Sequence, residues 1–535
     1  MFADHTLISE DGVGLASRLW RPDGAGPWPS LLMRQPYGRA IASTVTLPHP
    51  DWWCRHGFLV MVQDVRGQGD SDGVFEGFSQ EARDTAATLQ WIRNHPDCNG
   101  RIGLYGFSYQ GLTQLLAPED CPPPDCMAPA MCGLDERMHW SCEGGAHWWH
   151  LGLGWGLQLA ALQARRRGDQ NAWEEIRENL ETGRYLRVGL DLLNRHDPDG
   201  MALRWLKRPA DQAEGWTQHQ SPRSWLRRPL LLLGGWWDPH LRGVLDLAAK
   251  ARAAGGSPEL HIGPATHLQW WPQSSALLLN FFQRHLRSHP QTEDDADPVK
   301  LWDLGSDQWV DVPWTTVGSA SPGAIVWHLA STGLACLDQN DGCLLNSPEG
   351  RGGTVTVVHD PWRPAPAVGG HLSPSAGPCD RSSVDQRSDV AVFTSAPFQR
   401  AQVLNGRPVL RCEASADQPG FDLWVTLSRR PEGSTTTQQV STGCFRVLGD
   451  SARQRQERRI ELQPVRASVQ PGDRLRLSLA GAAWPAIAIN PGTPDHACGA
   501  PSPECRVISI TLHLETAQLR MEPLQMIHQG GTPAD

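Results

Sequence analysis

Short apolar runs closed by glycine or proline alternate with helical segments over residues 1–133, and this rhythm constrains the fold more than any other feature. PSLLMRQPY, GFLVMVQDVRG, RIGLYG and CMAPAMCG read as buried strands, and GLASRLW alternates as a strand before them. Ser79–His95 reads as a helix, with Ser79 as N-cap and Ala86, Leu89 and Ile92 on one face. SYQGLTQLLA follows RIGLYG at once and is helical. Strands that are apolar along their whole length need cover on both faces. The pattern therefore predicts a doubly wound, mainly parallel sheet.

The same rhythm resumes after residue 226. RRPLLLLGGWWD is a strand, LRGVLDLAAKARAAG a helix ended by Gly255, PELHIGPATH a strand and SSALLLNFFQRHL a closing helix. Residues 134–226 lie between the two stretches; they are helical, and no strand fits there. SHPQTEDDADP, at 288–298, is polar and acidic and reads as a linker. Beyond it come short strands separated by turn residues, from VKLWDLG through FDLWVTLSRR to RVISITLHL. The expected organisation is a doubly wound α/β core in two parts, 1–133 and 227–290, with a helical cap insert at 134–226. A β-sandwich or jelly-roll domain follows at 297–525.

Composition narrows the partners. The net charge of -10 argues against nucleic acid, which requires a basic face. No run of about 20 apolar residues is present, so no membrane span is expected. MFADHTLISEDG lacks an apolar signal region, which makes the cytoplasm the expected compartment. The 13 cysteines are scattered and odd in number, as free thiols are in a reducing compartment. Cys121 and Cys126 lack the spacing and companions of a zinc site. No metal and no cofactor is expected; self-association into a homo-oligomer is left open.

Two serines compete for a catalytic role. Ser71, in Gly69-Asp70-Ser71-Asp72-Gly73, fits GxSxG but precedes no helix, and carboxylates flank it. Ser108, in Gly106-Phe107-Ser108-Tyr109-Gln110-Gly111, sits between a strand and a helix. That sharp turn pushes a serine out of the strand end, with a helix N-terminus beside it. In such sheets the acid and base follow on later strands, in the order Ser, acid, His. Asp238 ends LLLLGGWW and His267 ends ELHIGPAT, so both are delivered at strand carboxyl ends. His261 lies within its strand, while His240, His285 and His289 are expected in a loop or on helix surfaces. Imidazole can take the serine proton and return it to the leaving group, with Asp238 orienting it. The N–H of Tyr109 is the expected first oxyanion donor. The phenol of Tyr37, or an adjacent N–H in RQPYGR, is the expected second.

These segments resemble the cocaine esterase and X-prolyl dipeptidyl-peptidase family of α/β hydrolases. RQPYGR is similar to the family's Arg-x-Pro-Tyr-Gly segment, whose tyrosine hydroxyl forms half of the oxyanion hole, and Tyr37 takes that place. QDVRGQGDSDG resembles its Asp-x-Arg-Gly loop, GFSYQG its nucleophile segment, GGWWD the segment of its acid and GPATH that of its histidine. The resemblance implies Ser108, Asp238 and His267 as triad, a helical cap and a C-terminal jelly roll. Ala265 stands where relatives commonly carry Trp, and Pro239 follows the acid where Gly is usual.

The expected activity is hydrolysis of a carboxylic ester or amide of a small, apolar acyl group. The substrate is then a small molecule or a short peptide. Trp140, Trp148, Trp149, Trp237 and Trp270 are candidates for an aromatic-walled pocket. An X-Pro exopeptidase is the alternative. It must hold a free α-ammonium, for which Asp135, Glu136 and Glu143 are candidate partners. A catalytically inactive, sugar-binding relative is the distant alternative.

Overall fold

The computed structural model describes residues 2–41, 45–287, 299–314, 325–494 and 499–523. The expected linker at 288–298 lies outside the described residues, as does His289. Among the described residues, ten strands form a first sheet: β1 (Phe2–Ile8), β2 (Gly14–Trp20), β3 (Trp28–Gln35), β4 (Leu59–Asp64), β5 (Cys98–Phe107), β6 (Cys126–Ala130), β9 (Leu231–Trp237), β10 (Glu259–Thr266), β11 (Val299–Asp303) and β12 (Gln308–Val312). Their order is β1-β2-β4-β3-β5-β6-β9-β10-β11-β12. Every pairing from β4 to β11 is parallel, and antiparallel strands close both edges. Side chains of the central strands enter two cores in alternation. Leu31, Met33, Val60, Val62, Leu231 and Leu233 face one, and Leu32, Leu59, Met61 and Leu232 face the other. This double burial is why these strands are apolar throughout.

Several expectations change in detail. The helix after β4 starts at Glu81, behind a 3₁₀ turn at Gly77–Gln80 that contains Ser79, so Ser79 is not its N-cap. The helix after β5 is only Tyr109–Thr113. Residues 134–226 are mostly helical but do hold a small hairpin, β7 (Cys142–Glu143) with β8 (Ala146–His147). VKLWD was expected in the C-terminal unit, yet it pairs in parallel with β10 and completes the first sheet as β11. A strand this short does not encode which sheet it joins.

The longest helix of the insert, Trp149–Arg166, lies against the loops of the first sheet. Gln163 donates to the carbonyl of Gly67 (2.6 Å) and Arg166 to that of Gly69 (2.8 Å). Eleven further strands among the described residues, from Val326–Ala330 to Ile508–Glu522, form the other large sheet around Phe393, Phe421, Leu477 and Leu519. Asp303 fastens the two sheets, its carboxylate accepting from Ser468 through both N–H (3.0 Å) and hydroxyl (2.8 Å). No helix among the described residues is long and apolar enough to cross a membrane.

Candidate active site

Ser108 stands at the end of β5 as the residue before the short helix, with φ 57° and ψ −128°. This left-handed conformation is costly for a serine and is the sharp strand-to-helix turn that projects a side chain from a sheet edge. The surroundings enforce it. Ser108 N–H donates to the carbonyl of Ala130 on neighbouring β6 (2.9 Å). Gly106 has φ +141°, and a Cβ there would stand 2.4 Å from the Cβ of Gln110. Gly111 packs so closely that a Cβ would meet the Ala130 carbonyl at 2.8 Å.

Asp238 directly follows β9, and His267 directly follows β10. His267 Nδ1 is 2.6 Å from Asp238 Oδ2, and the other oxygen, Oδ1, accepts from the N–H of His240 (2.8 Å). Asp238 is fully buried. Burial alone pushes its carboxyl up, but His267 and the His240 N–H together hold it below the ordinary carboxylate range. It is thus an anion at neutral pH, and Nδ1 of His267 must carry the proton between them. The His267 ring packs on Phe107, the residue before Ser108, with centroids 5.3 Å apart.

Tyr37, in the loop after β3, accepts from the Trp155 indole N–H at 3.2 Å and lies within electrostatic reach of the Ser108 side chain. Burial, against those two neighbours, pushes the phenol up to about 12, so it stays protonated and able to donate. The loop is anchored by Arg39, whose guanidinium binds Asp64 (2.8 Å) and Asp70 (2.6 Å) and whose N–H also reaches Asp64. The Tyr109 phenol turns away, donating to buried Glu81 at 2.7 Å. Its main-chain N–H is at the first position of the helix, where such groups have no intrahelical acceptor. Tyr37→Phe keeps the ring and deletes one donor. The expected result is a loss of about 10²–10³-fold in kcat with little change in KM. Unchanged kcat would move the donor role to a main-chain N–H.

Ser71 is fully buried, and its hydroxyl is used twice: it donates to the Asp64 carbonyl (2.7 Å) and accepts from Ala16 N–H (2.8 Å). It braces the loop beside β2.

The aromatic candidates divide. Trp140 packs on His240 (4.5 Å), and Trp155 lies 6.2 Å from it. Trp270 meets Phe107 edge-on at 5.6 Å. Trp148 reaches His240 (5.7 Å) but is buried mainly against the C-terminal sheet, with Trp424 and Ile487. Trp149 lies apart, in a core of insert helices, donating to the Leu186 carbonyl. Trp237 packs into the sheet's own core. The carboxylates have partners of their own, except that Glu143 Oε1 is buried without one among the described residues. Asp135 caps the helix Glu136–Trp140, and buried Glu136 accepts from Trp205 (3.0 Å), Arg208 (3.4 Å) and His219 (3.1 Å). Glu143 pairs with His371 at 2.7 Å.

His240 lies in the turn before the helix Leu241–Ala254, within the loop or helix-surface placement expected for it, but it is not exposed. It is buried between Trp140 and His267, its Nδ1 bonded to the His139 carbonyl (2.6 Å). Its place two residues after the acid was the signal available. Burial, more than the nearby Asp238, decides its charge and holds it down to about 4. His150 and His261 are likewise held down to about 4 by burial. Unfolded histidine titrates near 6.5, so between the two values the unfolded chain binds more protons. Stability is therefore complete above about pH 6.5 and lost as pH falls toward 4, by about 2 kcal/mol per residue at pH 5. Thermal melts should show Tm falling steadily from pH 7 to pH 5; a flat Tm there would contradict these burials.

Comparison with known proteins completes this geometry. Residues 11–269 match the family model described as X-Pro dipeptidyl-peptidase (S15 family), and residues 270–533 match that of the X-Pro dipeptidyl-peptidase C-terminal non-catalytic domain. Cocaine esterase from Rhodococcus sp. (strain MB1 Bresler) is 28% identical over 423 residues, 72% of each chain. An aminopeptidase from a marine sediment Thaumarchaeota archaeon superposes with a TM-score of 0.72 at 19% identity, covering 98% of this chain and 96% of that one. An α-amino acid ester hydrolase does so with a TM-score of 0.70 at 19% identity, over 98% and 96%. At such identities the two structures establish the fold alone. Together the family matches define a serine hydrolase with an N-terminal catalytic domain and a β-rich C-terminal domain. The chain belongs to the X-Pro dipeptidyl-peptidase (S15) family.

Proposed function

We propose that the enzyme is an α/β hydrolase that cleaves a carboxylic ester or amide of a small, apolar acyl group through a Ser108-His267-Asp238 triad. Ser108 Oγ attacks the acyl carbonyl and His267 Nε2 takes its proton. The tetrahedral oxyanion is held by the Tyr37 hydroxyl and the Tyr109 N–H. Collapse expels the alcohol or amine, which leaves with the proton from His267. Water then repeats the cycle on the acyl-enzyme. The observation that carries this reading is the 2.6 Å pairing of His267 Nδ1 with buried Asp238, the His267 ring packed on Phe107 beside Ser108 on its strained turn.

For the substrate, the wall of Trp140, Trp155, Phe107 and Trp270 favours an apolar acyl group. Two of the carboxylates proposed to receive an α-ammonium are taken, Asp135 by a helix cap and Glu136 by a buried network, and Glu143 binds His371 through Oε2 while its Oε1 has no hydrogen-bond partner among the described residues. A buried, unpaired ammonium is costly, so this favours the ester or amide over the X-Pro peptide. The family match to X-Pro dipeptidyl-peptidases supports the second reading, exopeptidase action. Steady-state kinetics on an aryl acyl ester and on an Ala-Pro anilide separate the two. The expected result is a higher kcat/KM for the ester; a higher value for the anilide would overturn the esterase reading.

A further inference from the structure

The C-terminal domain matches a family domain described as non-catalytic, yet one of its side chains reaches the catalytic acid's own backbone. Gln463 Nε2 donates to the main-chain carbonyl of Asp238 at 2.7 Å, across 225 positions of sequence. Gln463 is buried and its backbone is clamped on both sides. Its N–H donates to the Thr442 carbonyl (2.8 Å), and its carbonyl accepts from the Ser441 hydroxyl (2.6 Å). The other inward bond to the Asp238 carbonyl is the long one from Leu241 N–H (3.3 Å). Asp238 sits where β9 turns into the helix Leu241–Ala254, with Pro239 next to it.

We propose that Gln463 is a positioning residue for the reaction: the C-terminal domain sets the main chain of Asp238, and through it the carboxylate's alignment with His267 Nδ1. This rests on Asp238 being the catalytic acid. The side chain touches neither substrate nor the reacting atoms, so it acts through Asp238 alone. The same domain grips the insert nearby: Arg446 N–H donates to the Gly144 carbonyl (2.7 Å), and His371 binds Glu143. Asp238 is thus held from a surface that is itself fixed. Misplacement of a catalytic group by about 1 Å can cost about 10²-fold in rate.

The test is Gln463→Met in the full chain, which keeps length and bulk and deletes the donor. The expected result is kcat lowered about 10–100-fold, with KM within about twofold and Tm within a few degrees. Unchanged kcat would overturn the proposal. So would kcat, KM and Tm moving together, which would mark Gln463 as a packing residue only. Ser441→Ala, which loosens the clamp without touching Gln463's donor, should lower kcat by a few-fold with KM unchanged. It decides the matter if Gln463→Met does not fold, and wild-type kcat there would overturn the proposal. Asp238→Asn is measured alongside: full activity would show that the triad reading itself fails. An inactive Asp238→Asn beside a fully active Gln463→Met would overturn the positioning role alone.

Discussion

Ser108→Ala is expected to abolish turnover, lowering kcat by about 10⁴-fold or more while the fold survives. The side chain projects from a turn whose geometry is set by main-chain contacts, namely the bond to Ala130 and the close approaches at Gly106 and Gly111. Removing Oγ opens no cavity in either core, and alanine relieves nothing that the turn depends on. Ser71→Ala should behave in the opposite way. It leaves kcat within about twofold but deletes a buried hydroxyl with two partners, which costs about 1–3 kcal/mol of stability. Far-UV circular dichroism, thermal melts and kcat on an aryl ester read both variants. Reversed phenotypes would contradict the assignment of the nucleophile.

Asp238→Asn carries the second largest expected effect, a loss of about 10⁴-fold in kcat. The carboxylate faces Nδ1 of His267 at 2.6 Å and is held anionic, so it accepts and Nδ1 donates. An amide could keep the bond to His240 N–H through its oxygen and so preserve the loop. Its NH₂ would then face Nδ1 and turn it into an acceptor. The remaining ring proton moves to Nε2, and a protonated Nε2 cannot take the proton of Ser108. The variant should keep its Tm, since geometry is retained, and should still bind substrate. A loss smaller than about tenfold would remove Asp238 from the mechanism.

The parallel sheet was legible because strands buried on both faces must be apolar throughout, and PSLLMRQ, RIGLYG and LLLLGGWW admit few other readings. The candidate site residues stood out in the sequence for a related reason. A parallel sheet delivers functional groups at strand carboxyl ends, and Ser108, Asp238 and His267 each follow such a run. What escaped depends on contacts between distant segments. VKLWD carries strand character but nothing that names β10 as its neighbour. Glu136 and Glu143 were candidates for an ammonium because Trp205, His219 and His371 become their neighbours only on folding, whereas the partners of Asp135, the N–H groups of Arg137 and Met138, are local. Trp149 and Trp140 are both buried, and only helix packing sets Trp149 among the insert helices and Trp140 against His240. Gln463 lies in a different domain from the loop it holds.

The central claim is that Ser108 is the nucleophile, and covalent labelling tests it most directly. A fluorophosphonate forms a stable bond only with an activated serine, so the labelled protein is digested and the modified peptide mapped by mass spectrometry. The account predicts one adduct, on Ser108, retained in Ser71→Ala and absent from Ser108→Ala. An adduct on Ser71, or an active enzyme whose labelling survives Ser108→Ala, would contradict it.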